Sequence, residues 1–97
     1  MIKCGGTAHV QDATPEVQNI CDEIKPQAEK KAGKKFNLFH AKKFTTQVVA
    51  GTVYFIQVEV GKDECINVRV FKPLANGKLE LQGLETSKTL KDPIGYF

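Results

Sequence analysis

The chain is predicted to fold as a two-layer α+β domain in which an antiparallel β-sheet wraps around one long α-helix. One apolar stripe at helical spacing runs through Val17, Ile20, Cys21, Ile24 and Ala28. Four strand-like runs follow, with no second helical pattern among them. Short turn-forming segments join the runs, so consecutive strands pair as hairpins. A helix with one apolar stripe and a meander with one apolar face bury both by packing together.

The elements are expected in this order. Residues 1–13 form an amino-terminal arm with two glycines and a short strand near Ala8-His9-Val10. Residues 14–33 form the helix. Thr14 caps it, Pro15 suits its first position, and Glu16 lies at the positive end of the dipole. Lys30 and Lys31 crowd its last turn and Gly33 ends it. Pro26 removes one helical hydrogen bond and predicts a bend, because the stripe continues to Ala28. The meander spans residues 36–84. Its first strand loses phase at Leu38-Phe39, which predicts a β-bulge. The strand then runs to a hairpin tip at Gln47-Val48-Val49-Ala50-Gly51, and Thr52 to Val60 return. Gly61 to Glu64 turn the chain. Cys65 to Phe71 alternate, with Ile66, Val68 and Val70 towards the helix and Cys65 away from it. Pro73-Leu74-Ala75-Asn76-Gly77 is a further loop, and residues 79–84 are the last strand. Residues 85–97 are a polar tail whose apolar end docks on the sheet.

Composition narrows the function. With 97 residues the chain is one domain, large enough for a core without disulfides. A net charge of +3 does not imply nucleic acid, and the lysine pairs lack aromatic partners, so they read as a solvated basic face. No apolar run reaches the ~20 residues of a membrane span, and no signal-peptide core is present. The three cysteines, Cys4, Cys21 and Cys65, are odd in number and widely spaced. They fit neither a closed disulfide framework nor a zinc site, and a reduced, cytoplasmic protein is expected. Cys21 belongs to the core and Cys4 to the exposed arm. No catalytic, phosphate-binding or dinucleotide motif occurs, and neither an enzyme nor a cofactor is expected.

Strand alternation puts the loops at 47–51 and 73–77 at one end of the sheet and the 61–64 turn at the other. Val48 and Val49 are apolar where a turn is usually polar. Two readings stand on pattern alone: a plain hairpin turn, or, if they project from the end of the sheet, an exposed apolar edge that marks a contact surface.

Gln47-Val48-Val49-Ala50-Gly51 resembles the Gln-x-Val-x-Gly motif of the cystatins, protein inhibitors of papain-like cysteine proteases. The likeness spans nearly the whole chain. Ala13-Thr14-Pro15-Glu16, Ile24-Lys25-Pro26-Gln27, Thr46 to Thr52, Val70-Phe71-Lys72 and Tyr96-Phe97 are similar to the stefins, the single-domain intracellular branch. The resemblance implies a cystatin-like fold of four main strands and a short amino-terminal strand. It also implies reversible, competitive, tight-binding inhibition by occlusion of the protease cleft, without covalent chemistry. An arm glycine, Gly5 or Gly6, would enter the non-primed side; counting back from Ala13-Thr14-Pro15-Glu16 points to Gly5. Gln47, Val48, Val49, Ala50 and Gly51 would cover the catalytic thiol. Leu74, Ala75 and Asn76 would fill the primed side.

Leu74 fits the stefin pattern, whereas Ala75 and Asn76 depart from it, and the chain has no Trp for the Pro-Trp of secreted cystatins. The implied partners are cathepsins L, S, H and B as a class. The active form is expected to be a monomer, with domain-swapped and Cys4-linked dimers as its alternatives. A protein-interaction module of the same fold, without strong inhibition, is the competing reading.

Overall fold

The computed structural model describes residues 10–62, 64–74 and 77–88, with residues 87 and 88 described by backbone alone. Expectations that fall on Cys4, Gly5, Gly6, Ala75, Asn76 and residues 89–97 lie outside the described residues. The elements are β1 (Gln11–Asp12), α1 (Pro15–Ala32), β2 (His40–Val49), β3 (Gly51–Gly61), β4 (Glu64–Pro73) and β5 (Glu80–Lys88). They form one helix against a single antiparallel sheet ordered β1-β2-β3-β4-β5. This is the predicted α+β architecture with four long strands, but the short amino-terminal strand lies at Gln11–Asp12 and not near Ala8-His9-Val10; Ala8 and His9 lie outside the described residues and Val10 is not in a strand.

The helix termini follow from their residues. Thr14 is extended, at φ −107° and ψ 167°, and its hydroxyl accepts from the Val17 N–H at 3.2 Å. Gly33 adopts the left-handed conformation at φ 76° and donates its N–H to the Glu29 carbonyl at 2.9 Å. The helix is one continuous element through Pro26. Pro26 and Asp22, whose carbonyl loses its helical partner there, both lie on the exposed face, where water can replace the missing bond.

Val17, Ile20, Cys21, Ile24 and Ala28 are the buried residues of α1. They pack on Ile56 and Val58 of β3, Ile66, Val68 and Val70 of β4 and Leu81 of β5. Phe44 of β2 lies diagonally across from Tyr54, ring centroids 6.3 Å apart, and closes this core towards the β1 edge. Cys65 is buried but is not part of the helix-side cluster, because it alternates with Ile66.

Three further features differ from the sequence expectations. The chain is not a strand at residues 36–39; β2 starts at His40 and the register shift falls between Ala41 and Lys43. Phe36 and Phe39 are both buried, with ring centroids 5.5 Å apart, a spacing of three that an alternating strand cannot supply. Their backbone groups pair with the helix instead. The Phe36 N–H donates to Glu29 Oε2 at 2.9 Å, and the Phe39 carbonyl accepts from Gln18 Nε2 at 3.0 Å. Secondly, β5 continues to Lys88, into the segment expected to be a tail. Thirdly, the outer sheet face is not simply polar and exposed. Thr45, Phe55, Gln57, Cys65 and Asn67 are buried there as well.

Two glutamines fasten the helix to the sheet. Gln18 Oε1 accepts from the Ala41 N–H at 2.9 Å while its Nε2 serves the Phe39 carbonyl. Gln27 Oε1 accepts from the Leu81 N–H at 3.1 Å and its Nε2 donates to the Leu79 carbonyl at 3.4 Å. Each carboxamide therefore bonds backbone groups the way the peptide group of a neighbouring strand would. Nine residues at about 100° each place Gln18 and Gln27 on opposite flanks of the helix. One holds the β2 edge where β1 ends and the other holds the start of β5. Edge backbone groups left unpaired are costly when buried and adhesive when exposed, and these side chains cover them.

Gln18→Ala is expected to destabilise the fold by about 1–3 kcal/mol, since it orphans two part-buried backbone groups. Gln27→Ala should cost less, because its bonds are longer and one is exposed. Urea denaturation checks both, and a Gln18→Ala midpoint equal to that of the unmodified chain would refute the clamp. Burial, with Asp22 adding to it, raises the Cys21 thiol from 9.0 to about 12. The unfolded chain therefore loses this proton first. Stability from this group is complete below pH 9.0 and falls as pH rises towards about 12. The stability difference between the unmodified chain and Cys21→Ala should narrow across that window in denaturation measured at each pH.

Candidate functional site

The β2–β3 connection is as tight as a hairpin becomes. Val49 pairs with Gly51, Val48 with Thr52 and Gln47 with Val53, leaving Ala50 alone at the tip. The same strand β3 pairs on its other side with β4, where Gly51 faces Pro73 and Thr52 faces Lys72. The 47–51 loop and the start of the 73–77 loop are therefore cross-strand neighbours at one end of the sheet. The Gly61↔Glu64 pair closes the opposite end.

This end is apolar and open. Val48 is 70% exposed, Val49 49% and Leu74 83%. Isolated exposed apolar residues need no explanation, but three on adjacent loops of a rigid sheet form a surface that water covers poorly. Gln47 is half-buried beside them and Ala50 is exposed. Of the two other large apolar residues with high exposure among the described residues, Val10 belongs to the arm and Leu38 to the segment before β2.

β1 runs antiparallel to β2, with Gln11 opposite Phe44 and Asp12 opposite Lys43. It thus enters the sheet from the side of the 47–51 loop and leaves towards the helix. Lys43 Nζ holds Asp12 at 3.2 Å and the Ala13 N–H donates to the Lys42 carbonyl at 2.9 Å, which ties the root of the arm to β2.

Gly51 has no substitute in this geometry. Its φ of 128° is one that L side chains rarely adopt. A Cβ there would lie 2.6 Å from the Lys72 carbonyl oxygen and 2.9 Å from the Phe71 ring. The glycine of the motif is thus required within the chain itself, where the first loop closes onto β4. Lys72 continues the connection: its Nζ lies 3.6 Å from Glu16 Oε2, so β4 beside the second loop also touches the first turn of the helix.

Of the ten residues predicted for the site, Gln47, Val48, Val49, Ala50, Gly51 and Leu74 come together at this end, and the other four lie outside the described residues. Phe71, Lys72 and Pro73, against which the first loop rests, were not among them. The signal available for Phe71 was its place diagonal to the motif glycine, on the same face of the sheet, once strand alternation is extended to the loop. Val48, Val49, Ala50 and Leu74 expose hydrocarbon at this end, suited to covering another surface by contact.

Comparison with known proteins agrees. Residues 5–93 match the model of the Cystatin domain. The chain is 51% identical over 96 residues to Cystatin-B of Oplegnathus fasciatus, covering 97% of this chain and 96% of the relative. It is 51% identical to Cystatin-B of Paralichthys olivaceus and 44% identical to Cystatin-B of Homo sapiens, in each case covering 97% of this chain and 98% of the relative. The chain therefore belongs to the cystatin family, on its stefin branch, and is an inhibitor of cysteine proteases rather than an enzyme.

Proposed function

We propose that the chain inhibits papain-like cysteine proteases reversibly, competitively and tightly, by seating the 47–51 and 73–77 loops and the amino-terminal arm in the active-site cleft. The observation that carries this reading is the exposed apolar edge of Val48, Val49 and Leu74, held on adjacent strands by the Gly51↔Pro73 pair. In this reading Gln47 to Gly51 cover the catalytic thiol. Leu74, with Ala75 and Asn76, occupies the primed side. The arm containing Gly5 and Gly6 reaches the non-primed side, and the direction in which β1 enters the sheet supports that placement. No scissile carbonyl is offered, so occlusion leaves the inhibitor intact. Protease–inhibitor contacts typically bury about 1,600 Å², and loops shaped before binding lose little entropy on docking. A nanomolar complex then needs roughly 12 kcal/mol of net binding free energy. The targets are cathepsins of the L, S, H and B kinds, met by a cytoplasmic monomer.

Titration of active-site-counted papain is expected to abolish activity at equimolar inhibitor; full activity at large excess would reject the reading. Val48→Asp places a charge where a methyl group meets the protease and should weaken binding by about 3 kcal/mol, roughly a hundredfold. Circular dichroism should be unchanged, since Val48 touches solvent in the free protein. Deleting residues 1–5 should accelerate dissociation more than it slows association, as stopped-flow and dilution measurements would resolve. A dimer formed by opening the hairpin at Ala50 straightens the first loop and should leave papain active. Dimeric size-exclusion fractions that inhibit fully would contradict this.

A further inference from the structure

We propose that Phe71 is the positioning residue of the inhibitory edge: its ring lies over Gly51 and sets the spacing between the two loops. This rests on the reading that both loops enter the protease cleft. Phe71 pairs with Val53, and Gly51 with Pro73, so Phe71 and Gly51 are diagonal neighbours on the outer face of the sheet. A diagonal of this kind is within reach of an aromatic side chain. A Cβ on Gly51 would lie 2.9 Å from Phe71 Cε1 and 3.0 Å from Cζ, so the ring already occupies the space beside the glycine. Bulk at 71 and none at 51 complement each other, the way an aromatic ring across a strand compensates a glycine that has nothing to pack.

The place of Phe71 in the core is small. It is half-buried and does not belong to the helix-side cluster, which Val68 and Val70 enter from the same strand. Its contact is with the loop end. Two residues beyond it the chain reaches Pro73 and three beyond it Leu74, which is 83% exposed. The ring therefore links Gly51, the last residue of the motif loop, to the strand that delivers Leu74. Without it, Gly51 keeps its backbone freedom and loses the surface that confines it. The two loops would then sample a range of separations, and the protease would have to select one of them.

The test is the dissociation rate from papain for the unmodified chain, Phe71→Ala, Phe71→Leu, Phe71→Tyr, Leu74→Ala and the Phe71→Ala/Leu74→Ala pair. Phe71→Ala is expected to dissociate about tenfold faster, while Phe71→Tyr, which keeps the ring, retains slow dissociation. The Leu74→Ala penalty should shrink in the Phe71→Ala background, because a loop already loose has less to lose. Wild-type dissociation of Phe71→Ala, or penalties that multiply independently, would overturn the assignment. Phe71→Leu carries the same test should Phe71→Ala fail to fold. If the unmodified chain leaves papain active, the inhibitory reading fails while Phe71 stays testable by distance. Nitroxides on Val48→Cys and Leu74→Cys, in a Cys4→Ser background, should give one narrow distance that Phe71→Leu broadens. An unchanged distribution would overturn the proposal.

Discussion

The cross-strand pair Gly51↔Pro73 is the constraint on which the loop end of this protein depends. β3 carries the motif loop at its start, and β4 carries the second loop at its end, so one register decides how the two loops stand to each other. A slip by one residue would turn every side chain of β4 to the opposite face. Ile66, Val68 and Val70 would leave the helix, and the core prevents it. Loop spacing is therefore specified by packing at some distance from the loops. The free energy that fixes the edge comes from burying the helix stripe, and the edge itself is free to expose Val48, Val49 and Leu74.

The helix is held across the sheet in turn. Gln18 and Gln27 complete the hydrogen bonding of two strand edges that no strand among the described residues covers, on opposite flanks of α1. The Lys72–Glu16 ion pair adds a link between β4 and the first helical turn, and being exposed it contributes little stability. The exposed ends of strands invite pairing with other chains, and covering them keeps the contact surface at the loop end. The loop end exposes Val48, Val49 and Leu74 on a backbone whose register the core fixes.

Much of this was legible in the sequence because local and tertiary preferences agree. Thr14, Pro15 and Gly33 mark the helix by the same chemistry that caps it. Alternation through Ile66, Val68 and Val70 states which face of β4 meets the helix. The segment 36–39 reads as strand in the sequence because Phe36 and Phe39 are apolar and run directly into β2. The partners that remove their backbone groups from the ladder, Glu29 and Gln18, are helix side chains with no sequence signal. The same is true of Gln27. A polar residue on the helix flank reads as solvated until the sheet edge beside it is known. Burial of Thr45, Gln57 and Asn67 on the outer face was likewise hidden, since their polarity argues for exposure. Within the candidate site, the motif residues were visible by pattern and resemblance. The reason for Gly51 was not, because it lies across the sheet in Phe71 and the Lys72 carbonyl.

The central claim is that the two loops stand in their inhibitory arrangement before any protease arrives. Hydrogen exchange of the free chain and of its papain complex, followed by mass spectrometry over residues 51–57 and 66–73, tests it most directly. The account predicts slow exchange of both segments in the free chain, with binding adding protection only at the loops. Rapid exchange in the free chain, slowed across both strands only in the complex, would show that the protease builds the wedge and would contradict it.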